Sequence, residues 1–320
     1  MARYLVTGVA GFIGSNLAHA LVALGNDVRG IDNFCHGRRG NLKEIEGDID
    51  LCDGDITDPH AIRSACEGVD YVLHQAALAS VPRSLADPAG SNRANVVGTL
   101  CVLHAAREAG VRRVVYASSS SVYGDSPGLP KREDMLARPI SPYAVSKYSS
   151  ELYAQSYSCL LGLETVGLRY FNVFGPRQHP TSQYAAVVPK FICAMLRGEQ
   201  PTIFGDGKQS RDFTYIDNVV SANLLASTAP ADKVSGRTFN IAAGKAFSLV
   251  ELYRLLKDMI GFRKPALFAP ARVGDVKDSL ADPSLAEKAM GYQAEVEFME
   301  GLRRTVEWYQ TELASAADTH

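Results

Sequence analysis

The first fourteen residues place the strongest constraint on how this chain can fold. Arg3-Tyr4-Leu5-Val6-Thr7 is a predicted strand, and three glycines spaced G-x-x-G-x-x-G separate it from a helical stretch. At such a turn Gly8 allows the tight bend, Gly11 removes a Cβ that would block phosphates, and Gly14 lets the helix pack closely on the strand. The helix N-terminus presents free N–H groups, so the turn is predicted to bind a diphosphate.

The end of the next strand indicates which diphosphate. Val28-Arg29-Gly30-Ile31 is followed by Asp32, about 20 residues beyond the glycines. A carboxylate there hydrogen-bonds an adenosine ribose and would repel the 2′-phosphate of NADP. The glycine spacing alone is equally typical of a simple turn, but strand, glycines, helix and acid together predict bound NAD.

The first half of the chain alternates short apolar runs with helical patterns. Further strands are predicted at 48–56, 69–77 and 114–118. One helix is predicted to begin at Pro59, and another to span 88–110. Repeated strand–helix units form right-handed crossovers and a parallel sheet covered on both faces. We therefore predict an α/β fold with a doubly wound, Rossmann-type parallel sheet and ligands at the carboxyl ends of its strands.

Prolines interrupt this rhythm after about residue 175. Later helices are predicted near 187–197, 217–228, 248–260 and 297–311, and short strands near 202–204, 239–242 and 266–269. We predict an NAD-binding domain over 1–175, with contributions from about 212–245, and a smaller C-terminal substrate-binding lobe over 176–313. A flexible tail is predicted over 314–320.

Composition narrows the classes of partner. Of the 320 residues 46% are hydrophobic and 21% charged, and the net charge of -2 gives no electrostatic reason to expect nucleic acid or an anionic membrane. The six cysteines are scattered without a C-x-x-C pair, which predicts reduced thiols and no metal site. No apolar run could span a bilayer and the early strand leaves no room for a signal peptide, so a cytoplasmic protein is expected.

A second constellation of residues, S-P-Y-A-V-S-K, occupies 141–147. Tyr143 and Lys147 are four apart and share a helix face. A nearby ammonium and a cationic nicotinamide would lower the tyrosine pKa from its ordinary value of about 10 and make a general base. A chance Y-x-x-x-K is usually a solvated pair, but here it follows a dinucleotide turn, which favours catalysis.

The serine run Ser118-Ser119-Ser120-Ser121-Val122-Tyr123-Gly124 is the third signal. A hydroxyl there could share a proton with Tyr143 and bind a sugar oxygen. Serine-rich loops also cap themselves, and at least one of the four serines is expected to do only that.

With these motifs the chain resembles the extended short-chain dehydrogenase/reductases, specifically nucleotide-sugar epimerases close to bacterial UDP-N-acetylglucosamine 4-epimerases. The resemblance covers residues 3–311 and includes H-x-A-A at 74–77, N-x-x-G-T at 95–99, R-Y-F-N-V-F-G-P at 169–176, G-D-G-K-Q-S-R-D-F at 205–213 and R-V-G-D-V at 272–276.

The resemblance implies roles for individual residues. Tyr143 would be the base, Lys147 would bind the nicotinamide ribose, and Ser119 would be the catalytic hydroxyl, with Ser120 a close rival. The implied cofactor contacts are Gly8, Gly11, Phe12, Ile13, Asp32, Asn33, Gly37, Asp55, Ile56, Ala76, Ala77, Asn95, Tyr143, Lys147 and Tyr170.

The C-terminal lobe would hold a UDP-sugar. Arg211 and Arg272 lie on separate segments and suit a bidentate grip on the diphosphate, although Arg211 could instead pair with Asp212. The implied substrate contacts are Ser120, Ser121, Asn172, Gln178, Ala186, Val188, Thr202, Phe204, Arg211, Arg272, Asp275 and Ser279.

The implied reaction is 4-epimerisation through a 4-keto sugar, with hydride passing from C4 to NAD and returning to the other face. Sugar 4,6-dehydratases carry Asp-Glu directly after the catalytic hydroxyl, where this chain has Ser120 and Ser121, which disfavours dehydration. Decarboxylation of a uronic acid is less clearly excluded. Retention of Tyr143 and Lys147 disfavours a non-catalytic NAD sensor.

Three residues bear on the sugar. Gln178, Ala186 and Ser279 match positions of epimerases that prefer N-acetylated hexosamines, and a small Ser279 would leave room for an acetamido group. We predict UDP-GlcNAc/UDP-GalNAc interconversion, with UDP-glucose/UDP-galactose or UDP-glucuronate as alternatives. The resemblance also implies a homodimer through a four-helix interface of helices around 88–110 and 142–162.

Overall fold

The structure, a computed structural model, describes residues 1–180, 186–271 and 277–317. Its strands are β1 Arg3–Thr7, β2 Asp27–Asp32, β3 Ile49–Asp53, β4 Tyr71–His74, β5 Arg113–Ser119, β6 Glu164–Tyr170, β7 Val173–Phe174, β8 Thr202–Phe204, β9 Ser210–Asp212, β10 Thr214–Tyr215, β11 Arg237–Ile241, β12 Ala246–Ser248 and β13 Leu267–Ala269. Its helices are α1 Phe12–Ala23, α2 Pro59–Cys66, α3 Val81–Ala86, α4 Pro88–Asn92, α5 Gly98–Glu108, α6 Pro142–Leu161, α7 Val187–Leu196, α8 Ile216–Thr228, α9 Ala231–Val234, α10 Leu249–Ile260, α11 Ser284–Met290 and α12 Phe298–Ala317.

A seven-stranded sheet in the order β3-β2-β1-β4-β5-β6-β11 forms the centre of the molecule, and every pair in it is parallel. Side chains alternate across it: Tyr4 and Val6 of β1 join one apolar cluster, while Leu5 joins the cluster on the opposite face. The strand order reverses between β1 and β4, which is where such sheets bind ligands. The predicted doubly wound parallel sheet is confirmed.

The long helix predicted over 88–110 is divided. Its first turns form α4, whose cap Asp87 accepts a hydrogen bond from Gly90 N at 2.8 Å. A π-helical turn at Arg93–Val97 follows, and α5 begins at Gly98. Hydrophobic periodicity does not reveal the extra residue of a π-turn, so the break was missed.

The sequence prediction also missed β6. Gly167 lies in the middle of this strand, and a Cβ there would meet the Tyr116 hydroxyl at 2.5 Å, so this glycine marks a close contact between neighbouring strands. Buried Arg169 further conceals the strand. A strand that is buried on both faces is recognised in a sequence by a run of apolar residues, and this glycine and this arginine interrupt that run.

The C-terminal part contributes to the central sheet and also builds small sheets of its own. β11 pairs with β6, and α8 packs against α1. Two-stranded sheets β7–β10, β8–β13 and β9–β12 lie outside the main sheet. Residues 314–317 continue α12, where the sequence predicted a tail, and 318–320 lie outside the described residues. No helix in the described part of the chain is long and apolar enough to cross a membrane.

A fully buried arginine connects the end of α8 to the central sheet by hydrogen bonds. The Arg113 guanidinium donates to the carbonyl oxygens of Ala226, Ser227 and Ala229 at 2.7 to 3.0 Å, and to Glu164 at 2.7 Å. The last carbonyls of a helix have no partner within it, so one cation at the start of β5 satisfies the end of α8.

Replacing this arginine should destabilise the protein strongly. Arg113→Ala leaves three carbonyls and a carboxylate without their donor, so we expect a loss of about 3 kcal/mol in the free energy of unfolding. Urea unfolding followed by circular dichroism measures it, and Arg112→Ala, at an exposed neighbouring position, is the matched control. Equal midpoints for the two variants would show that this contact is not needed.

Candidate functional site

Two of the three glycines in the turn after β1 leave no room for a side chain. Gly8 has φ +67°, and a Cβ there would lie 2.8 Å from the backbone N and Cα of Ala76. A Cβ at Gly14 would lie 2.1 Å from the Gly8 carbonyl oxygen. Gly11 is the N-cap of α1 and supplies no side-chain acceptor, which leaves the first-turn N–H groups for a ligand.

Asp32 at the end of β2 is held by backbone donors. Its carboxylate accepts hydrogen bonds from Ala10 N at 2.9 Å and Phe34 N at 2.8 Å. Burial raises the pKa of Asp32, because the two bonds only partly replace water. A Cβ at Gly37 would lie 2.8 Å from both carboxylate oxygens, so this glycine allows the loop to close over the acid.

A cavity of 190 Å³ opens at these strand ends, at the predicted cofactor site. The candidates among its lining residues are Gly8, Gly11, Asp32, Asn33, Gly37, Asp55, Ile56, Ala76 and Ala77. His36 and Arg93 also line it, and no motif in the sequence singled them out. The structure therefore brings nine of the candidates, from four separate loops, around one space.

A buried hydrogen-bond chain supports the loop that carries Ala76. Thr7 Oγ1 accepts from Ala76 N at 3.2 Å and lies 2.7 Å from His74 Nδ1. His74 Nε2 lies 3.0 Å from Thr99 Oγ1, whose proton goes to Asn95 O at 2.5 Å. Thr99 therefore accepts from His74 Nε2–H, and Nδ1 accepts from Thr7. Burial lowers the pKa of His74 to about 3, so the ring is neutral.

Six cofactor candidates lie outside this lining set, and two of them, Tyr143 and Lys147, belong to the catalytic group described below. Phe12 and Ile13 begin α1 and are partly buried against the core. The Asn95 side chain bonds the backbone of Leu78 at both N and O, at 2.7 and 3.3 Å. The Tyr170 hydroxyl accepts from Asn223 Nδ2 at 2.9 Å. The described contacts of Asn95 and Tyr170 are therefore to protein groups that shape the cleft.

The predicted catalytic residues meet where β5 ends. Ser141 caps α6 by accepting from Ala144 N at 3.2 Å, and the helix then carries Tyr143 and Lys147 on one face. Tyr143 is hydrogen-bonded to the Ser119 side chain. Lys147 Nζ donates to Ala117 O at 2.9 Å, and burial lowers its pKa to about 8.

The structure gives the direction of the Tyr143 pKa in the protein itself, whereas the sequence prediction concerned Tyr143 beside a bound, cationic nicotinamide. Burial raises it, and the hydrogen bond from Ser119 lowers it by a smaller amount. The prediction counted the cations around the phenol but not the loss of water. In the protein alone Tyr143 is therefore a neutral phenol at neutral pH.

The other serines of the loop have different surroundings. Ser120–Tyr123 forms a 3-10 turn, and Ser121 N donates to Ser119 Oγ at 3.2 Å. Among the described residues, the buried Ser121 hydroxyl has no hydrogen-bond partner. Ser119 thus caps the turn and also contacts Tyr143, a double use that the sequence analysis did not anticipate.

A second cavity, of 520 Å³, lies in the C-terminal part. The substrate candidates that line it are Asn172, Ala186, Val188, Thr202, Phe204 and Arg211, and Lys190, Gln200 and Gln209 also line it without having been singled out. Arg272 and Asp275 lie outside the described residues.

Two further substrate candidates lie beside this cavity but do not line it. Ser279 Oγ accepts from Asn172 Nδ2 at 3.5 Å, which places it directly behind a lining residue. Gln178 Nε2 donates to Val173 O at 3.0 Å, so this amide is turned toward the backbone of β7.

Arg211 and Asp212 have separate sets of contacts. Arg211 Nη1 donates to the carbonyl oxygens of Ser210 at 2.8 Å and Lys277 at 3.1 Å. The Asp212 carboxylate accepts instead from the backbone N of Ala243, Gly244 and Ala281, at 3.0 to 3.2 Å. Burial raises the pKa of Asp212 to about 6.

Comparison with known proteins points to one group. The sequence profile of the NAD dependent epimerase/dehydratase family matches residues 4–242. UDP-glucose 4-epimerase of Mycolicibacterium smegmatis is 40% identical over 312 residues, covering 96% of this chain and 98% of that protein.

Two solved structures share the fold over 97% of this chain. UDP-glucose 4-epimerase of Thermotoga maritima, solved with UDP-glucose, is 37% identical with a TM-score of 0.93, covering 97% of this chain and 99% of that one. UDP-N-acetylglucosamine 4-epimerase of Methanobrevibacter ruminantium, solved with UDP-N-acetylmuramic acid, is 40% identical with a TM-score of 0.92 and the same coverage.

The glycine turn offers a direct test of the cofactor cleft. A Cβ at Gly11 meets only the Gly8 carbonyl oxygen, at 3.1 Å, so Gly11→Ala should fold. Its methyl group points where phosphates would lie, and we expect less bound NAD, because overpacking that costs about 1–3 kcal/mol weakens binding roughly 5- to 150-fold. Nucleotide released on denaturation measures the loss. Gly47→Ala, where nothing lies within 4 Å, is the control, and equal NAD contents would contradict the assignment.

Proposed function

Because the chain belongs to the NAD-dependent epimerase/dehydratase family and is an NAD-dependent UDP-sugar 4-epimerase, we propose that it interconverts UDP-GlcNAc and UDP-GalNAc. The observation that carries the sugar assignment is Ser279, a small side chain behind the cavity-lining Asn172. The Methanobrevibacter enzyme, a UDP-N-acetylglucosamine 4-epimerase at 40% identity, supports the same choice.

The cleft at the strand ends fits NAD. Gly8, Gly11 and the start of α1 form a cradle that any Cβ would narrow, and this cradle suits the pyrophosphate. Asp32 retains acceptor capacity for the adenosine ribose hydroxyls beyond its two backbone bonds. Bound NAD supplies a reversible hydride acceptor at the sugar C4.

Tyr143, Ser119 and Lys147 handle the proton. Tyr143 takes the proton of the sugar 4-hydroxyl and later returns it, while Ser119 donates a hydrogen bond that stabilises the phenolate. The buried Lys147 is held beside the strand end by Ala117 O and adds positive charge. Burial alone raises the pKa of Tyr143. Tyr143 can therefore act as a base only because Ser119, Lys147 and the positive charge of the bound cofactor lower that pKa.

The C-terminal cavity would hold the nucleotide sugar. Asn172, Ala186, Val188, Thr202 and Phe204 line it with Arg211 at its wall. We propose that Arg211 and Arg272 grip the diphosphate and that Asp275 holds the uridine ribose. On this proposal 1–175 is mainly the cofactor domain, and 176–313 is mainly the substrate lobe.

Direct assay of the sugars tests the function. The purified protein is incubated separately with UDP-GlcNAc, UDP-glucose and UDP-glucuronate, and the products are read by NMR. We expect the C4 epimer of UDP-GlcNAc to form fastest, and Tyr143→Phe to lower the rate by about 10²- to 10⁴-fold. Tyr148→Phe, on the same helix and lining neither cavity, is the control. Faster epimerisation of UDP-glucose or UDP-glucuronate would overturn the sugar assignment, and no 4-epimer from any substrate would overturn the activity.

A bulky side chain behind Asn172 should change sugar preference. Ser279→Tyr fills the space assigned to the acetamido group, so kcat/KM for UDP-GlcNAc should fall about 10- to 200-fold relative to UDP-glucose. Ser284→Tyr, at a partly buried serine that begins α11, controls for bulk alone. An unchanged ratio of the two substrates would place the acetamido group elsewhere.

The outer face of α6 supports a dimer proposal. Val145, Leu152, Tyr153, Leu160 and Leu161 are exposed apolar side chains on this one helix. We propose that they pack against a second copy in a four-helix interface formed with α5. Light scattering should then give twice the chain mass, and the mass of one chain would contradict the proposal.

A further inference from the structure

Three side chains of α6 hold three consecutive residues at the end of β5. Lys147 donates to Ala117 O, Tyr143 is bonded to Ser119, and Glu151 accepts from the Ser118 hydroxyl between them. Tyr143, Lys147 and Glu151 are spaced four apart, so they form one row along the helix. Two of these residues belong to the proposed proton-handling group, whereas Glu151 does not.

Glu151 is the centre of a buried ionic network. Arg169 donates to its two carboxylate oxygens, from Nε at 2.9 Å and from Nη2 at 2.7 Å, and both side chains are 7% exposed. Arg169 Nη1 also donates to the Tyr123 hydroxyl at 2.8 Å, and that hydroxyl donates to Asn240 Oδ1 at 2.6 Å. The network therefore holds the serine loop at Ser118 and again at Tyr123.

The position of Ser119 depends on that of Ser118. Ser119 follows Ser118 directly as the last residue of β5, so a contact that holds Ser118 against Glu151 also fixes the backbone from which the Ser119 side chain projects. Ser118 and Arg169 are register partners on the adjacent strands β5 and β6 and bond the same carboxylate. The hydroxyl that contacts Tyr143 is thus oriented by its immediate neighbour.

We propose that Glu151 is a positioning residue for epimerisation, which holds Ser118 and Arg169 so that the Ser119 hydroxyl stays aimed at Tyr143. This inference rests on the proposed function. It assigns Glu151 no contact with substrate or cofactor. Its effect is transmitted through Ser118 and Ser119, and through Arg169 and Tyr123.

The same two strands contain a matched comparison. Arg113 and Glu164 form a second arginine–glutamate pair at the opposite ends of β5 and β6, in which the arginine is buried and the carboxylate partly buried, and the other contacts of Arg113 go to the end of α8. Breaking either pair leaves a buried arginine without its carboxylate and destabilises the protein. Of these two pairs, only Glu151–Arg169 contacts the serine loop. Comparing variants of the two pairs therefore distinguishes an effect on the position of Ser119 from a general loss of stability.

The experiment compares Glu151→Gln, Ser118→Ala and Glu164→Gln in the NAD-bound protein. We expect kcat for the best UDP-sugar to fall about 10- to 100-fold in the first two variants, with KM within about twofold, and to stay near wild type in Glu164→Gln. Ser118→Ala keeps the Glu151–Arg169 pair, so it decides the question if Glu151→Gln does not fold. Equal kcat values for Ser118→Ala and wild type would overturn the proposal.

Two readouts distinguish positioning from a structural effect. In a Ser119→Ala background, Ser118→Ala should lower kcat little further, because its route to Tyr143 is already lost, and additive losses would contradict the proposal.

NMR of ¹³C-labelled tyrosine, assigned with Tyr143→Phe, should show a higher Tyr143 pKa in Ser118→Ala than in wild type, because the hydrogen bond from Ser119 lowers that pKa. An unchanged titration would contradict the proposal. Wild type that epimerises no UDP-sugar would refute the proposed function, whereas an active wild type with an unaffected Ser118→Ala would refute only this inference.

Discussion

The close approach of α1, β1 and the loop after β4 is the constraint on which the rest of the molecule depends. Gly14 lies against the carbonyl of Gly8, and Gly8 lies against the backbone of Ala76, at distances that exclude a Cβ. This contact joins the strands on the two sides of the point where the strand order reverses. β4 pairs with β1, and β5 pairs with β4, in a fixed register. The contact between these glycines and Ala76 therefore also sets the positions of the cofactor cleft and of the end of β5.

Both cavities are organised by buried carboxylates that backbone N–H groups hold. Asp32 accepts two such bonds beside the cofactor cleft, and Asp212 accepts three near the C-terminal cavity. Within the described residues neither acid forms an ion pair with a lysine or arginine, and burial raises the pKa of both. Backbone N–H groups therefore order the loops around each site, and Arg211 remains the residue that we propose to grip the substrate diphosphate.

The sequence predicts those parts of the structure whose cause is local. The glycine turn, Asp32 and the Tyr143–Lys147 spacing are recognisable because chain geometry dictates them within a few residues. β6 and the π-turn were missed because Gly167, Arg169 and Asn95 are explained by partners distant in the chain. The lining residues His36, Arg93 and Lys190 carried no signal, since a single charged side chain at a loop is ordinary until the fold surrounds it. Burial raises the pKa of Tyr143 and cannot be read from spacing, while the lowering of that pKa by Lys147 and a bound nicotinamide stays a prediction.

The position of β11 has a consequence for synthesis of the chain. This edge strand is made long after β6, yet it completes the central sheet, and the carbonyls that satisfy Arg113 belong to the end of α8 just before it. Until residue 241 has emerged from the ribosome, β6 presents an unpaired edge, and Arg113 lacks its three carbonyl acceptors until residue 229 has emerged. A nascent chain in that state exposes a surface that favours strand pairing between copies, so the interval before β11 emerges is when chaperone protection matters most.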